Sequence, residues 1–422
     1  MARTAPARTA AWFLAPAVLI VTTLVVYPIG QTLWWSFGDA DGRAGAGLAN
    51  YADIFTAPQI RRALLNNAAW IVVAPNLVTA VGLLLAVLAQ RVRRAAAFRV
   101  VLFMPMAISL VCAGITFRLV YDESPDRGVL NAVVVGVHDV FVPPSPYPGA
   151  RARDPRALVP HDGGLQTSAP VAADQPVLLP LVGLAPAQVP GSATQAGTGG
   201  AGSGVHGVVW SDFTAVGGTP GAVDAGERGL PGVEVEVLRD GAVVARTRTG
   251  ADGSFAVPRL TGRGYVVRLA AGNFTAPFAG LTWLGPSLVT PALIGAYLWI
   301  WAGFAMVLVT VGLAAIPKET IEAARIDGAG DWQILRQVTV PLMRPIVVVV
   351  LLTLTVNVLK VFDLVLVGAP ESAQGPAAVL ALEMWRSSFD HVGRGSALGV
   401  LLLLLALPGV LFNVHRLRRA QR

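Results

Sequence analysis

The stretch 319-ETIEAARIDGAGDWQILRQVTVPLMRP-345 is charged and glycine-broken, yet it lies between two long apolar runs. Ile321, Ala324 and Ile326 fit one helical face, and Glu319 and Glu322 fall in the first turns, where the helix dipole favours carboxylates. Gly328 and Gly330 break that helix. Asp331 is placed to cap a second helix, carrying Trp332, Leu335 and Val338 until Pro341 ends it. The pattern predicts two short helices joined at an elbow.

The runs around the elbow make the chain a membrane protein. Of its 422 residues, 54% are hydrophobic and 14% charged, and the mean hydropathy is +0.61, more apolar surface than a soluble fold buries. A spanning helix needs about 20 mostly apolar residues. Six segments qualify: Ala11 to Phe37, Asn67 to Gln90, Val100 to Val120, Leu288 to Ala314, Ile346 to Val367 and Ser396 to Asn413. The first is too long for a signal-peptide core and ends in Trp34-Trp35, an interfacial anchor rather than a cleavage site.

Basic residues set the orientation, because they collect on the cytoplasmic side of short loops. With the N-terminus inside, the inner segments hold Arg3 and Arg8; Arg91, Arg93, Arg94 and Arg99; Lys318, Arg325, Arg336 and Arg344; and Arg416, Arg418, Arg419 and Arg422. The short outer loops hold only Arg43, Arg61, Arg62, Arg386 and Arg394. Both termini and the elbow are therefore expected in the cytoplasm. The net charge of +7 reflects this topology and indicates no nucleic-acid partner, since no aromatic-interleaved basic stripe occurs. Cys112 is the single cysteine, which excludes an intramolecular disulfide. The histidines show no metal-ligand spacing.

The grouping Glu322-Ala323-Ala324-Arg325-Ile326-Asp327-Gly328-Ala329, followed by Val338 and Pro341, resembles the signature loop of permease subunits of bacterial ATP-binding-cassette importers. It is most similar to the carbohydrate branch, the maltose and glycerol-3-phosphate permease type; Val338 and Val340 stand where Ile and Leu are commoner. The resemblance extends to Arg99 to Ser109, Leu359 to Val365 and Gly395 to Val400. It implies a coupling loop, within 315–345, that docks in a groove of a separate ATPase subunit. Glu322 and Asp327 would offer charge, Ala323, Ala324 and Ala329 close approach, Gly328 the turn and Pro341 the helix boundary. It further implies a second homologous permease, two ATPase subunits that bind ATP and magnesium, an extracytoplasmic solute-binding protein and a bacterial cytoplasmic membrane. This chain has no phosphate-binding loop, so it is expected to bind no cofactor in its membrane part and to catalyse no hydrolysis. The implied solute is a sugar, oligosaccharide or polyol derivative. The alternatives are a permease for a non-sugar solute and a membrane-anchored adhesion protein, which would need one span and no elbow.

Lys360 and Asp363 lie roughly 21–26 Å into the fifth apolar segment, counted from Ile346 at about 1.5 Å per residue, and their i,i+3 spacing puts them on one helical face. They either line the translocation path or snorkel to the outer interface.

Between Gly128-Val-Leu-Asn131 and Thr282-Trp-Leu-Gly285, expected neighbours by resemblance, stands a long insertion. The expected organisation is 1–141, helices one to three with an outer loop; 142–204, a Pro/Gly/Ala-rich flexible linker; 205–271, an extracytoplasmic antiparallel β-sandwich; and 272–422, helices four to six. Val233 to Leu238 alternates, Asp240-Gly241 suits a tight hairpin, and strands follow at Val243, Ser254 to Val257 and Gly264 to Leu269. The frame Gly207 to Asp212 and Asp224 to Val233 resembles B-type repeat domains of bacterial surface proteins, which implies calcium on Asp212, Asp224 and Glu227. The other reading is solvated turn acids, because calcium takes six to eight oxygens. Asn273-Phe-Thr275 is a formal glycosylation sequon, and Trp299 and Trp301 in the fourth segment are placed either to stack on a sugar or to pack between helices.

Overall fold

The computed structural model describes residues 7–420 except 44, 200–202 and 215–216; Arg3 and Arg422 lie outside the described residues. The chain divides into two units, 1–132 with 281–422, and 133–280.

The first unit is helical. Among the described residues five helices are long and apolar enough to cross a membrane: Phe13–Trp35, Pro58–Gln90, Val289–Ala314, Asp331–Leu359 and Val392–Gly409. The expected third span is broken: Ala95–Ala107 and Leu110–Val120 meet at 100°. Pro105 opens a single 3-10 turn at the break, and Ser109 restarts the helix by accepting a hydrogen bond from the Cys112 amide through its side chain. Six spans result if this pair counts as one.

The core gathers Trp70, Ala74 and Val78 of the second span with Tyr297, Ala305 and Met306 of the fourth and Val350 and Leu354 of the fifth. Glycine permits this approach. A Cβ on Gly82 would stand 2.5 Å from the Ala305 Cβ, and one on Gly303 would stand 1.9 Å from the Leu102 carbonyl oxygen. By contrast no residue from Phe13 to Trp35 is buried, so the first span presents a predominantly apolar surface.

The ends of the insertion meet, as their resemblance implies. Asn131 is fully buried. Its amide nitrogen donates to the carbonyls of Asp122, Glu123 and Leu281, and its oxygen accepts from the Leu281 amide and Trp283 Nε1. One side chain thus ties together backbone about 150 residues apart in sequence, with all its donors and acceptors used.

Among its described residues the second unit carries eleven strands: β1 Arg151–Ala152, β2 Leu158–His161, β3 Gly164–Thr167, β4 Val171–Ala172, β5 Pro176–Val182, β6 Val205–Ser211, β7 Arg228–Gly229, β8 Glu234–Arg239, β9 Ala242–Arg248, β10 Ser254–Val257 and β11 Arg263–Leu269. They form two sheets, ordered β1-β5-β6-β10 with β7 on β6, and β2-β3-β11-β8-β9 with β4 on β11. Leu179, Leu181 and Val209 of the first sheet share one apolar core with Val235, Val237 and Val267 of the second. The hairpin at Asp240-Gly241 is as expected: both residues have positive φ, 54° and 81°, the conformation a two-residue primed turn demands.

Two expectations are corrected. The stretch 142–204 is not a flexible linker, since β1 to β5 lie in it and Leu158, Leu165, Val177 and Leu181 are buried in the shared core. Its Pro-Ala-Gly composition conceals four strands of two to four residues and one of seven that carries two prolines. Nor is the unit wholly antiparallel, because β5 pairs parallel with β6, Pro176 opposite His206 through Leu181 opposite Ser211. The segment 183–204 is long enough for the crossover such pairing requires.

Candidate functional site

The elbow forms as the sequence predicts, and its geometry explains the glycine. The first helix is Lys318–Ile326. Beyond it the Gly328 amide donates to the Arg325 carbonyl and the Ala329 amide to the Ala324 carbonyl, each at 3.0 Å, a Schellman closure whose pivot must be left-handed. Gly328 has φ +83°, and a Cβ there would meet nothing within 4 Å. Backbone conformation, not space, therefore selects glycine. Arg325 reaches across the elbow to Asp331 at 3.7 Å.

The second arm departs from expectation twice. Gly330, not Asp331, is the N-cap; its amide donates to Gln333 Oε1 at 2.9 Å, and Asp331 sits in the first turn. Pro341 does not end the helix. Asp331–Gln333, a π-helical segment Ile334–Thr339 and Val340–Leu359 run together as one span. The wider π turn accommodates a proline that lacks an N–H and crowds the preceding turn. The elbow's second arm is consequently the beginning of the fifth span.

Glu322, Ala323, Asp327 and Pro341 are exposed, and Ala324 and Ala329 are half-buried. Two large apolar side chains accompany them on the surface, Ile326 at 86% and Trp332 at 70% exposure. Exposed apolar groups thus stand beside charged ones at this helical corner, outside any folded interior.

Lys360 and Asp363 do not share a helical face. The fifth span stops at Leu359, Lys360 caps its end, and Asp363 begins a separate short helix, Asp363–Gly368. The apolar run continues past the break, so hydropathy alone could not locate it. Lys360 is exposed and Asp363 half-buried.

Sequence reasoning singled out Trp301 but passed over the cluster around it. Trp70 and Tyr297 meet edge to face at 5.6 Å, Tyr297 stacks on Trp301 at 5.8 Å, and Trp301 meets Phe304 at 5.5 Å. Among the described residues, Trp70 Nε1, Tyr297 Oη, Trp301 Nε1 and Asn67 Nδ2 are buried without a hydrogen-bond partner. Such groups are costly in a membrane interior. The available signal was the i,i+4,i+7 spacing of Tyr297, Trp301 and Phe304 along one face. Trp299 lies apart, edge-on to Phe117 at 5.4 Å.

In the insertion the three candidate acids take hydrogen bonds from their own loop. No group of three metal-binding side chains occurs among the described residues. Glu227 accepts from Trp210 Nε1 at 2.8 Å and the Asp224 amide at 3.0 Å. Asp212 accepts from the Gly221 amide and faces Arg153 at 3.5 Å, while the Asp224 carboxylate accepts from the Thr219 amide. These carboxylates organise their own loop. Burial, with the neighbouring Asp212 charge, raises the Glu227 pKa above the ordinary carboxylate value, against the pull of the Asp224 amide. Asn273 of the sequon is buried and exchanges hydrogen bonds with the backbone of Glu234.

Residues 255–420 match the family described as binding-protein-dependent transport system inner membrane component. The osmoprotective compounds uptake permease protein GgtC of Synechocystis is 25% identical over 416 residues, covering 97% of this chain and 99% of the relative. The alpha-glucoside transport system permease protein AglF of Rhizobium meliloti is 27% identical, covering 96% and 82%. Coverage this complete means that the insertion has a counterpart in these relatives. A bacterial ABC transporter involved in import of the acidic polysaccharide alginate has a chain of the same fold, with TM-score 0.55 and 15% identity over 98% of both chains.

Proposed function

We propose, from the match of residues 255–420 to the inner membrane components of binding-protein-dependent transport systems, that this chain is the permease subunit of an ATP-driven importer for a sugar, oligosaccharide or polyol derivative. The observation that carries the reading is the continuity of the elbow with the fifth span. A partner that grips Glu322, Ile326 and Trp332 moves a rigid lever whose other arm runs through the membrane. Two separate ATPase subunits supply that movement by closing on ATP and magnesium, a second permease completes the path, and a solute-binding protein delivers the solute. Both termini and the elbow lie in the cytoplasm, and the two sheets of 133–280 form a sandwich outside it.

The unpaired donors of Trp70, Tyr297 and Trp301 support a hydroxylated solute. Aromatic faces receive the apolar side of a sugar ring and buried donors its hydroxyls. In the state described here these groups are packed together, and alternation of the spans would separate them. The names of the full-length relatives, which concern osmoprotective compounds and alpha-glucosides, agree with this class of solute.

Co-purification of the tagged chain tests the reading. Wild type brings down an ATPase and a second permease, whereas Glu322→Lys combined with Trp332→Ala loses the ATPase while keeping the permease. A well-folded wild type that emerges alone overturns it. In cells, Tyr297→Phe is expected to impair uptake of the solute without changing ATPase recovery.

A further inference from the structure

A cavity of about 470 Å³ lies in the helical unit between the end of the fifth span, the helix Leu380–Asp390 and the sixth span. Its walls are apolar, formed by Val356, Leu359, Met384, Leu402, Leu403 and Ala406. Leu354, Val358 and Val361 of the same helix end turn instead into the core shared with the fourth span. The cavity is therefore distinct from the aromatic seam that holds the unpaired donors.

One charge stands at this cavity. Lys360 lines it, is exposed, and forms no hydrogen bond or ion pair through its side chain among the described residues. Phe362 and Trp385 also line it, 5.5 Å apart, and Phe389, 74% exposed, continues the row at 5.2 Å from Trp385. Aromatic rings beside a lysine are the composition of a membrane interface. Next to the cavity, Leu404 and Leu407 of the sixth span are exposed, so the groove is continuous with an exposed apolar surface.

A hydroxylated solute finds little here, because Lys360 is the only charged group and the walls offer almost no other polar atoms. A molecule with an apolar chain and an anionic head matches both parts. We propose that the groove holds an acyl chain of an anionic phospholipid, with the phosphate on the Lys360 ammonium. Assignment to the outer leaflet rests on the topology proposed above. The chain fills the apolar walls, and the ammonium, a compact charge on a flexible stem, meets the headgroup.

The test uses the full chain in mild detergent, titrated separately with phosphatidylglycerol and phosphatidylcholine and read by native mass spectrometry. Wild type is expected to retain one phosphatidylglycerol about fivefold more tightly than phosphatidylcholine, the preference a single lysine confers near an anionic headgroup. Lys360→Gln abolishes the preference, Lys360→Arg keeps it, and Ala406→Trp, which fills the groove, loses both lipids. Equal binding by wild type and Lys360→Gln, or unchanged binding by an Ala406→Trp variant that elutes and melts like wild type, overturns the proposal. If Ala406→Trp does not fold, the Gln and Arg variants decide it. No ATPase is present, so failure of the importer reading leaves this result unaffected.

Discussion

The helical unit and the β unit solve the burial of polar groups in opposite ways. In the β unit the buried acids are paired within the chain: Glu227 accepts from Trp210 and the Asp224 amide, and Glu236 lies between Arg246 and Arg268. In the helical unit, Trp70, Tyr297 and Trp301 keep unpaired donors inside, while Phe13, at 83% exposure, and the rest of the first span present apolar surface outside. A structure that pairs its interior and wets its exterior is complete by itself. One that keeps unpaired donors inside and apolar surface outside is suited to a membrane rather than to water.

The strongest way to break the comparison is to disturb helix packing alone. Gly303→Val puts side-chain atoms where the Leu102 carbonyl stands. It should abolish the monodisperse elution of the full chain in detergent while leaving the β unit's circular-dichroism strand signal. Next in size, Trp210→Ala removes a fully buried ring from the β unit, at a cost of about 3–5 kcal/mol. Thermal melts should then show one unit unfolding early and the helical signal persisting. Loss of both together would mean that the units do not fold separately.

Asn131→Leu probes the point where the insertion leaves and rejoins the helical unit. It strands the Leu281 amide and Trp283 Nε1, and about 2–3 kcal/mol should be lost, measurable as a lower melting temperature with Asn131→Asp only partly restoring it.

The smallest effects concern pH. Glu227 has a raised pKa, so the folded state holds its proton longer than the unfolded chain. Its contribution is present at low pH and is lost as pH rises from the ordinary carboxylate value through the raised one. Glu227→Gln should flatten that decline. Burial pushes the Glu236 pKa upward, but the hydrogen bonds and charges of Arg268 and Arg246 outweigh it and lower the pKa. Its contribution is therefore present above the ordinary value and lost as pH falls through the lowered one. Melting temperature against pH, for wild type and the two glutamine variants, should give slopes of opposite sign.

What was legible in the sequence was local. Gly328 declares its turn because a left-handed residue must follow a helix ending there, and Asp240-Gly241 declares its hairpin for the same reason. The spans announce themselves because a membrane helix is predominantly apolar on all sides over about 20 residues. The match of Glu322 to Ala329 pointed to transport through residue order, which folding does not alter.

Tertiary structure decided what depends on distant partners. Strands β1 to β4 are only two to four residues long and β5 carries two prolines, and pairing with one another and with β6 and β11 makes them strands. Pro341 continues its helix because a π turn relieves the clash, and Lys360 parts from Asp363 because the helix stops within an unbroken apolar run. Asn131 closes the insertion through contacts about 150 residues away. Composition records how apolar a segment is, whereas the end of a helix, the direction of a strand and the partner of a buried donor depend on which other backbone arrives beside it.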